Sequence, residues 1–235
     1  MGRRRAGRAP VADPRPHRPP DPRPTSGAVV VTEDPASFWD DRYRSTPPRD
    51  LSWFQAVATP SIELIAELDV DPLSGVIDVG GGASPLVDGL VDRGFTDLTV
   101  LDVSGAALAM ARERLGSAPV SWVVGDVTTW RPDRTWDLWH DRAVFHFMTD
   151  PEQRAGYLRS LDAAVAPGAT IVVATFAPDG PERCSGLVVD RYDAEGLVAA
   201  LTERIPARLL MARRQTHTTP WGATQAFTWV ALRRS

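Results

Sequence analysis

The sequence predicts an α/β protein built on a doubly wound, seven-stranded, mostly parallel sheet, with helices on both faces and an antiparallel hairpin at the C-terminal end. Three observations carry that expectation. Short β-rich runs alternate with helical stretches from Asp34 onward, the first run passes into a glycine-rich turn, and two strand-like runs close the chain with no helix between them.

Taken in order, residues 34–68 read as a helical lead-in, with Pro60 suited to a helix start because its fixed φ fits the first turn. Gly75–Val79 is the first strand, and a helix over about 85–93 follows the glycine turn. Leu98–Val103 is the second strand, the alanine-rich run 104–115 the second helix, Val120–Val124 the third strand and Trp136–His140 the fourth. A helix over about 151–165 stops at Pro167-Gly168, where a missing donor and a permissive backbone break it. Thr170–Phe176 is the fifth strand, 193–204 another helix, and runs near 207–215 and 226–233, separated by 216–225, form the closing hairpin. No internal repeat is present.

Composition narrows the class. No stretch reaches the roughly 20 apolar residues that a membrane-crossing helix needs, so a soluble chain is expected. The single cysteine, Cys184, excludes an internal disulfide and fits a reducing, cytoplasmic compartment. Residues 1–27 hold seven arginines and seven prolines against Asp13 and Asp21, a net +5 that leaves the remainder of the −4 chain at −9. That tail cannot build a core and reads as a disordered extension, an upstream start, a basic tether or a transit segment, with residues 28–235 as a single domain. An acidic body argues against nucleic acid as a partner, since such binding depends on basic residues against phosphates.

Chemistry concentrates at strand ends. The segment from Val76 to Pro85 contains Asp78, Gly80, Gly81 and Gly82 where the first strand turns into the first helix, the crevice position at which open α/β sheets take ligands. Glycines there let the backbone adopt positive φ and approach a ligand closely. Asp102 ends the second strand, 24 residues after Asp78, where a carboxylate can accept both hydroxyls of a ribose. Asp126, between Gly125 and Val127, ends the third strand, where it can accept an adenine amino group while Val103 and Val127 sandwich the ring. Any one of these acids has a plain reading as a turn residue; three at successive strand ends point to a nucleoside.

This order of Asp78-x-Gly80-x-Gly82, Asp102 and Gly125-Asp126, continued by Trp136 to Arg142, resembles motifs I to IV of class I S-adenosylmethionine-dependent methyltransferases. The resemblance covers about residues 35–233 and implies that fold and that cofactor. It assigns Asp78 and Gly80 to Gly82 to the methionine end, Asp102 to the ribose, and Asp126 with Val127 to the adenine. Ser84 stands where the family has a third glycine. Phe38-Trp39-Asp40-Asp41-Arg42-Tyr43 and Ser52-Trp53-Phe54-Gln55 resemble the lead-in of a subgroup that includes protein-lysine, thiopurine and tellurite methyltransferases, in which Trp53 would lie over the cofactor. As the bland alternative, these aromatics staple a helix to the sheet. Asp141-Arg142-Ala143 resembles an Asp-Lys/Arg-Gly segment that lines the active site there, with Ala143 as the departure, and gives Arg142 as a substrate contact.

Methyl transfer needs alignment of an acceptor lone pair, and a general base only if the acceptor arrives protonated. His140, Asp141 and His146 are the candidates for moving a proton, against the plain reading of buried, hydrogen-bonded histidines. His217 and Trp221, between the last two strands, are candidates for a wall of the acceptor pocket or for an exposed loop. Cys184 carries no assigned role, and no metal site is expected, because His-Asp-x4-His matches no trusted ligand spacing. The acceptor stays open between a small molecule, favoured because no docking domain is evident, and a protein lysine. Two other classes share parts of the pattern: a nicotinamide-dependent oxidoreductase, which would want Gly or Ala where Pro85 stands, and a cofactor-binding module without catalysis.

Overall fold

The computed structural model describes residues 34–235; the basic tail expected over 1–27 lies outside them. The chain runs α1 (Pro35–Ser45), a 3-10 turn (Pro48–Asp50), α2 (Thr59–Glu67), β1 (Val76–Val79), α3 (Leu86–Val91), β2 (Leu98–Asp102), α4 (Gly105–Leu115), β3 (Val120–Val124) and β4 (Trp136–Arg142). A second 3-10 turn (Phe145–Phe147) leads to α5 (Pro151–Ala164), β5 (Val165–Phe176), the short pair β6 (Arg183–Cys184) and β7 (Leu187–Val188), α6 (Ala194–Thr202), β8 (Ala207–Thr218) and β9 (Thr224–Arg234).

Seven strands form one sheet in the order β3-β2-β1-β4-β5-β9-β8. β1 to β5 pair in parallel, and β9 runs antiparallel to both β5 and β8. The order reverses between β1, which leads the chain leftward, and β4, which leads it rightward, and a crevice opens above that switch point. Side chains alternate between two apolar layers, as the period of a strand requires. Val76, Leu98, Val100, Leu138 and Val172 pack with Ile62, Leu86 and Leu108 on one face, whereas Ile77, Leu101, Trp139, Ile171 and Val173 pack with Tyr157, Leu161 and Leu197 on the other.

Several boundaries differ from expectation for identifiable reasons. α5 ends at Ala164, and β5 begins at Val165, ahead of Pro167-Gly168. Val165 pairs with Trp136 and Thr170 with Leu138, so the Pro-Gly pair bulges out of the ladder where proline has no N–H to give and Gly168 sits at φ 80°. The hairpin strands reach Thr218 and Thr224, which places His217 within β8 rather than in a loop. α3 is capped at Pro85, and Ser84 Oγ accepts from Leu86 N at 3.2 Å. The β6–β7 pair, two residues per strand, is too short to leave a pattern in the sequence.

Candidate active site

The turn after β1 is shaped by close approach. Gly80 and Gly82 take φ of 67° and 48°. A Cβ on Gly80 would fall 2.0 Å from Val144 Cγ2, and one on Gly81 2.5 Å from Asp78 Oδ2. The acid and the turn therefore touch, and only glycine leaves that space.

Asp78 is buried and held from behind. Its Oδ1 lies 2.7 Å from His140 Nδ1, and His140 Nε2 lies 2.9 Å from Ser61 Oγ of α2. With Oδ1 accepting from the ring, Nδ1 carries the proton and Nε2 accepts from the serine hydroxyl. Both nitrogens of His140 are thus engaged, and no lone pair is left to take a proton from an acceptor.

Strand alternation separates the three residues expected to handle protons. His140 faces α2, whereas Asp141, on the opposite face, accepts from Val144 N (2.8 Å), Phe145 N (3.0 Å) and Tyr157 Oη (2.6 Å). Burial pushes its carboxyl up to about 6, against these three donors, which pull it down. His146 sits in the second 3-10 turn against the rings of Phe147 and Phe176, and its Nδ1 accepts from Phe176 N at 3.4 Å. Burial drives its pKa down to about 3, so the ring is neutral, with its proton on Nε2. Asp141 holds the backbone of the turn that follows β4, and His146 ties that turn to the end of β5.

A cleft opens on the glycine turn, lined on one side by Asp78, Gly80, Gly81 and His140 and on the other by Leu51, Trp53, Phe54 and Gln55, with Arg142 at its wall. Trp53 packs edge-on to Trp39 and Tyr43, so it lines the cleft and staples the lead-in at once. His217 does not line it: burial and the nearby Arg142 charge lower its pKa, and its Nε2 lies 2.8 Å from Ser52 O, tying β8 to the lead-in. Trp221 is 54% exposed at the hairpin tip, away from the cleft.

The acids at the next two strand ends lie outside this cleft. Asp102 is buried, and its Oδ1 accepts from Ser104 N at 2.7 Å. Burial pushes its carboxyl up to about 7, with the neighbouring Asp78 charge adding to the rise. Tyr43 of α1 and Asp102 meet at Gly82: the tyrosine Oη would be 2.7 Å, and Asp102 Oδ2 3.0 Å, from a Cβ there. Asp40, one turn earlier, accepts from Ser104 Oγ (2.7 Å) and Ala106 N (3.0 Å), fastening α1 to the start of α4. Asp126 Oδ1 accepts from Thr128 N and Thr128 Oγ1, both at 2.8 Å, in a local turn; Val103 is half-buried and Val127 buried beside it. Gly125 packs toward Leu101.

These residues fit S-adenosylmethionine at its amino-acid end, where a side-chain-free turn and Asp78 line the cleft. Asp102, the acid expected at the ribose, is buried, with the Tyr43 hydroxyl also close to Gly82. Ser61 and the Asp40 clamp carry no mark in the sequence, since each joins a common polar residue to a partner more than sixty positions away. Among the described residues no cluster of three His, Cys, Asp or Glu is placed to hold a metal, and no helix is long and apolar enough to cross a membrane.

A family model described as a methyltransferase domain matches residues 76–168. Over 129 residues the chain is 33% identical to thiocyanate methyltransferase 1 of Arabidopsis thaliana, covering 53% of this chain and 56% of that one, so it spans about half the length of that relative. It is 30% identical over 172 residues to a 2-heptyl-1-hydroxyquinolin-4(1H)-one methyltransferase of Mycobacteroides abscessus, covering 66% of this chain and 74% of that one. In fold it is similar to an S-adenosylmethionine-dependent methyltransferase from Anabaena variabilis, with a TM-score of 0.68 at 15% identity over 86% of this chain and 96% of the other.

Proposed function

The chain belongs to the class I S-adenosylmethionine-dependent methyltransferases, and from that premise we propose that it methylates a small-molecule acceptor. The observation that carries the reading is the cleft itself. It is lined by Leu51 and Trp53 to Gln55 opposite the glycine turn, with Arg142 at its wall, a setting that supports a compact acceptor beside the cofactor. The relatives from Arabidopsis and Mycobacteroides are both named for small acceptors, which supports the same choice over a protein lysine.

When bound, S-adenosylmethionine supplies an electrophilic methyl group on a sulfonium, so the protein's task is placement. Asp78 would receive the cofactor's ammonium, and the backbone of Gly80 to Gly82 would give it room. His140 is a positioning residue: it fixes the Asp78 carboxylate from behind and is itself held by Ser61. Asp102 would take the ribose hydroxyls, and Gly125, Asp126, Val127 and Val103 would receive the adenine. Trp53 closes the cleft over the cofactor. Arg142 faces the acceptor, whereas Asp141, His146, His217 and Trp221 act on structure or stand apart from the cleft. A single domain over the described residues, working in the cytoplasm on a small molecule rather than on nucleic acid, fits the acidic body of the chain.

Incubation with cofactor labelled in the methyl group and a cell extract tests the acceptor class. Label is expected in the low-molecular-weight fraction. Label confined to protein would overturn the small-molecule reading.

A further inference from the structure

The Arg142 guanidinium is the one strongly basic group on the cleft wall, and it has no counter-charge among the described residues. Nε and Nη2 are buried and bond to nothing, while Nη1 reaches only the carbonyl of Trp53 at 3.4 Å. The Phe227 ring lies 4.7 Å from Cζ, which offsets part of the charge but accepts none of the in-plane N–H groups. Cys184 comes within electrostatic reach, yet burial pushes its thiol up to about 12, so it stays neutral. Further buried polar atoms are unpartnered, two of them on His146 and Ser185. His146, whose ring centroid is 4.8 Å from Phe176, which in turn packs on Phe227, leaves Nε2–H free; the other, the Ser185 hydroxyl, is next to Cys184 in the chain. A buried cation with unmade hydrogen bonds is costly unless something completes it.

We propose that the methyl acceptor is an anion, its negative charge held by Arg142 through Nε and Nη2. The inference rests on the methyltransferase reading given above and names its substrate class. It also accounts for the missing base, since both nitrogens of His140 are taken, Asp141 is saturated by three donors, and His146 offers a donor. An acceptor that arrives deprotonated has no proton to lose. Its lone pair forms the bond to the methyl carbon as the carbon–sulfur bond breaks, sulfur keeps the electron pair, and a neutral methylated product and a neutral thioether result. Loss of charge then weakens the product's hold on Arg142 and favours its release. Deprotonated thiols, acidic hydroxyls, carboxylates and pseudohalides share this chemistry.

The test is calorimetric titration of the protein saturated with S-adenosylhomocysteine, using sodium thiocyanate and sodium benzoate as probes and benzamide as the uncharged control. At least one anion is expected to bind the wild type, and to bind Arg142→Met at least about tenfold more weakly, as loss of a charged hydrogen-bonding partner implies. Benzamide should bind more weakly than benzoate. Arg142→Lys, which keeps the charge but not the fork, should fall between and guards against a variant that fails to fold. Absence of anion binding, or equal binding by wild type and Arg142→Met, would overturn the inference. Loss of S-adenosylhomocysteine affinity in Arg142→Met would overturn it too, assigning the arginine to the cofactor. Failure of the wild type to bind S-adenosylhomocysteine at all would instead remove the methyltransferase reading beneath it.

Discussion

At the scale of single residues, the account turns on which polar groups are complete. Asp78, His140 and Ser61 form a closed chain in which every partner is buried. His140→Ala leaves Asp78 without its fixed donor, so cofactor affinity is expected to fall about tenfold and stability by about 1–3 kcal/mol. Calorimetry and thermal denaturation would measure both; a variant with wild-type affinity would show that the ring does not position the acid. Asp102 behaves differently. Its folded-state pKa is raised from 3.8 to about 7, chiefly by burial, so between those values the folded protein binds more protons than the unfolded chain. Stability from this group therefore falls as pH rises through that window. Asp102→Asn, which keeps an acceptor for Ser104 N, should raise the melting temperature at pH 8 by the equivalent of a few kcal/mol, with little change near pH 4. The same variant should weaken S-adenosylhomocysteine binding. Asp78, Asp102 and the three glycines were legible as special because residue types at strand ends carry meaning. Ser61 was not, because a serine near a helix start has many uses. The split between His140 and Asp141 was legible in principle, since neighbours on a strand point to opposite faces.

At the scale of elements, α1 is the part whose position matters most for the site. Asp40 ties it to Ser104 and Ala106, and its Tyr43 comes close to Gly82 beside Asp102, the acid proposed for the ribose. Binding of S-adenosylhomocysteine is therefore expected to change amide hydrogen exchange across Pro35–Ser45, and unchanged exchange there would mean that α1 does not guard the ribose end. Asp40→Ala, which removes acceptors at the start of α4, should lower stability by about 1 kcal/mol and speed exchange in α1. The parallel strands and their helices were readable because hydrophobic runs alternate with helical stretches over nearly the whole chain. The start of β5 was misplaced because Pro167-Gly168 reads as a stop, whereas the ladder passes it by bulging. The reach of His217 into β8 was missed because polar residues on an edge strand look like a loop.

For the whole molecule, sheet order decides what can meet. The reversal between β1 and β4 puts Asp78, the glycine turn, His140 and Arg142 around one crevice, though they come from strands 62 residues apart in register. Sequence order alone brings the first three motifs together as a nucleoside site, and it leaves open which residues face the acceptor. Because no metal-binding cluster occurs among the described residues, chelation with EDTA is expected to leave cofactor affinity and melting temperature unchanged. The claim on which everything else depends is that the crevice binds S-adenosylmethionine through Asp78 and the glycine turn. Calorimetric titration of wild type and Asp78→Asn with S-adenosylhomocysteine, and of wild type with NADH, tests it most directly. Binding of S-adenosylhomocysteine by the wild type, at least about tenfold weaker binding by the variant, and no heat with NADH are expected. Binding of NADH alone, or S-adenosylhomocysteine binding that ignores the loss of the Asp78 charge, would contradict it.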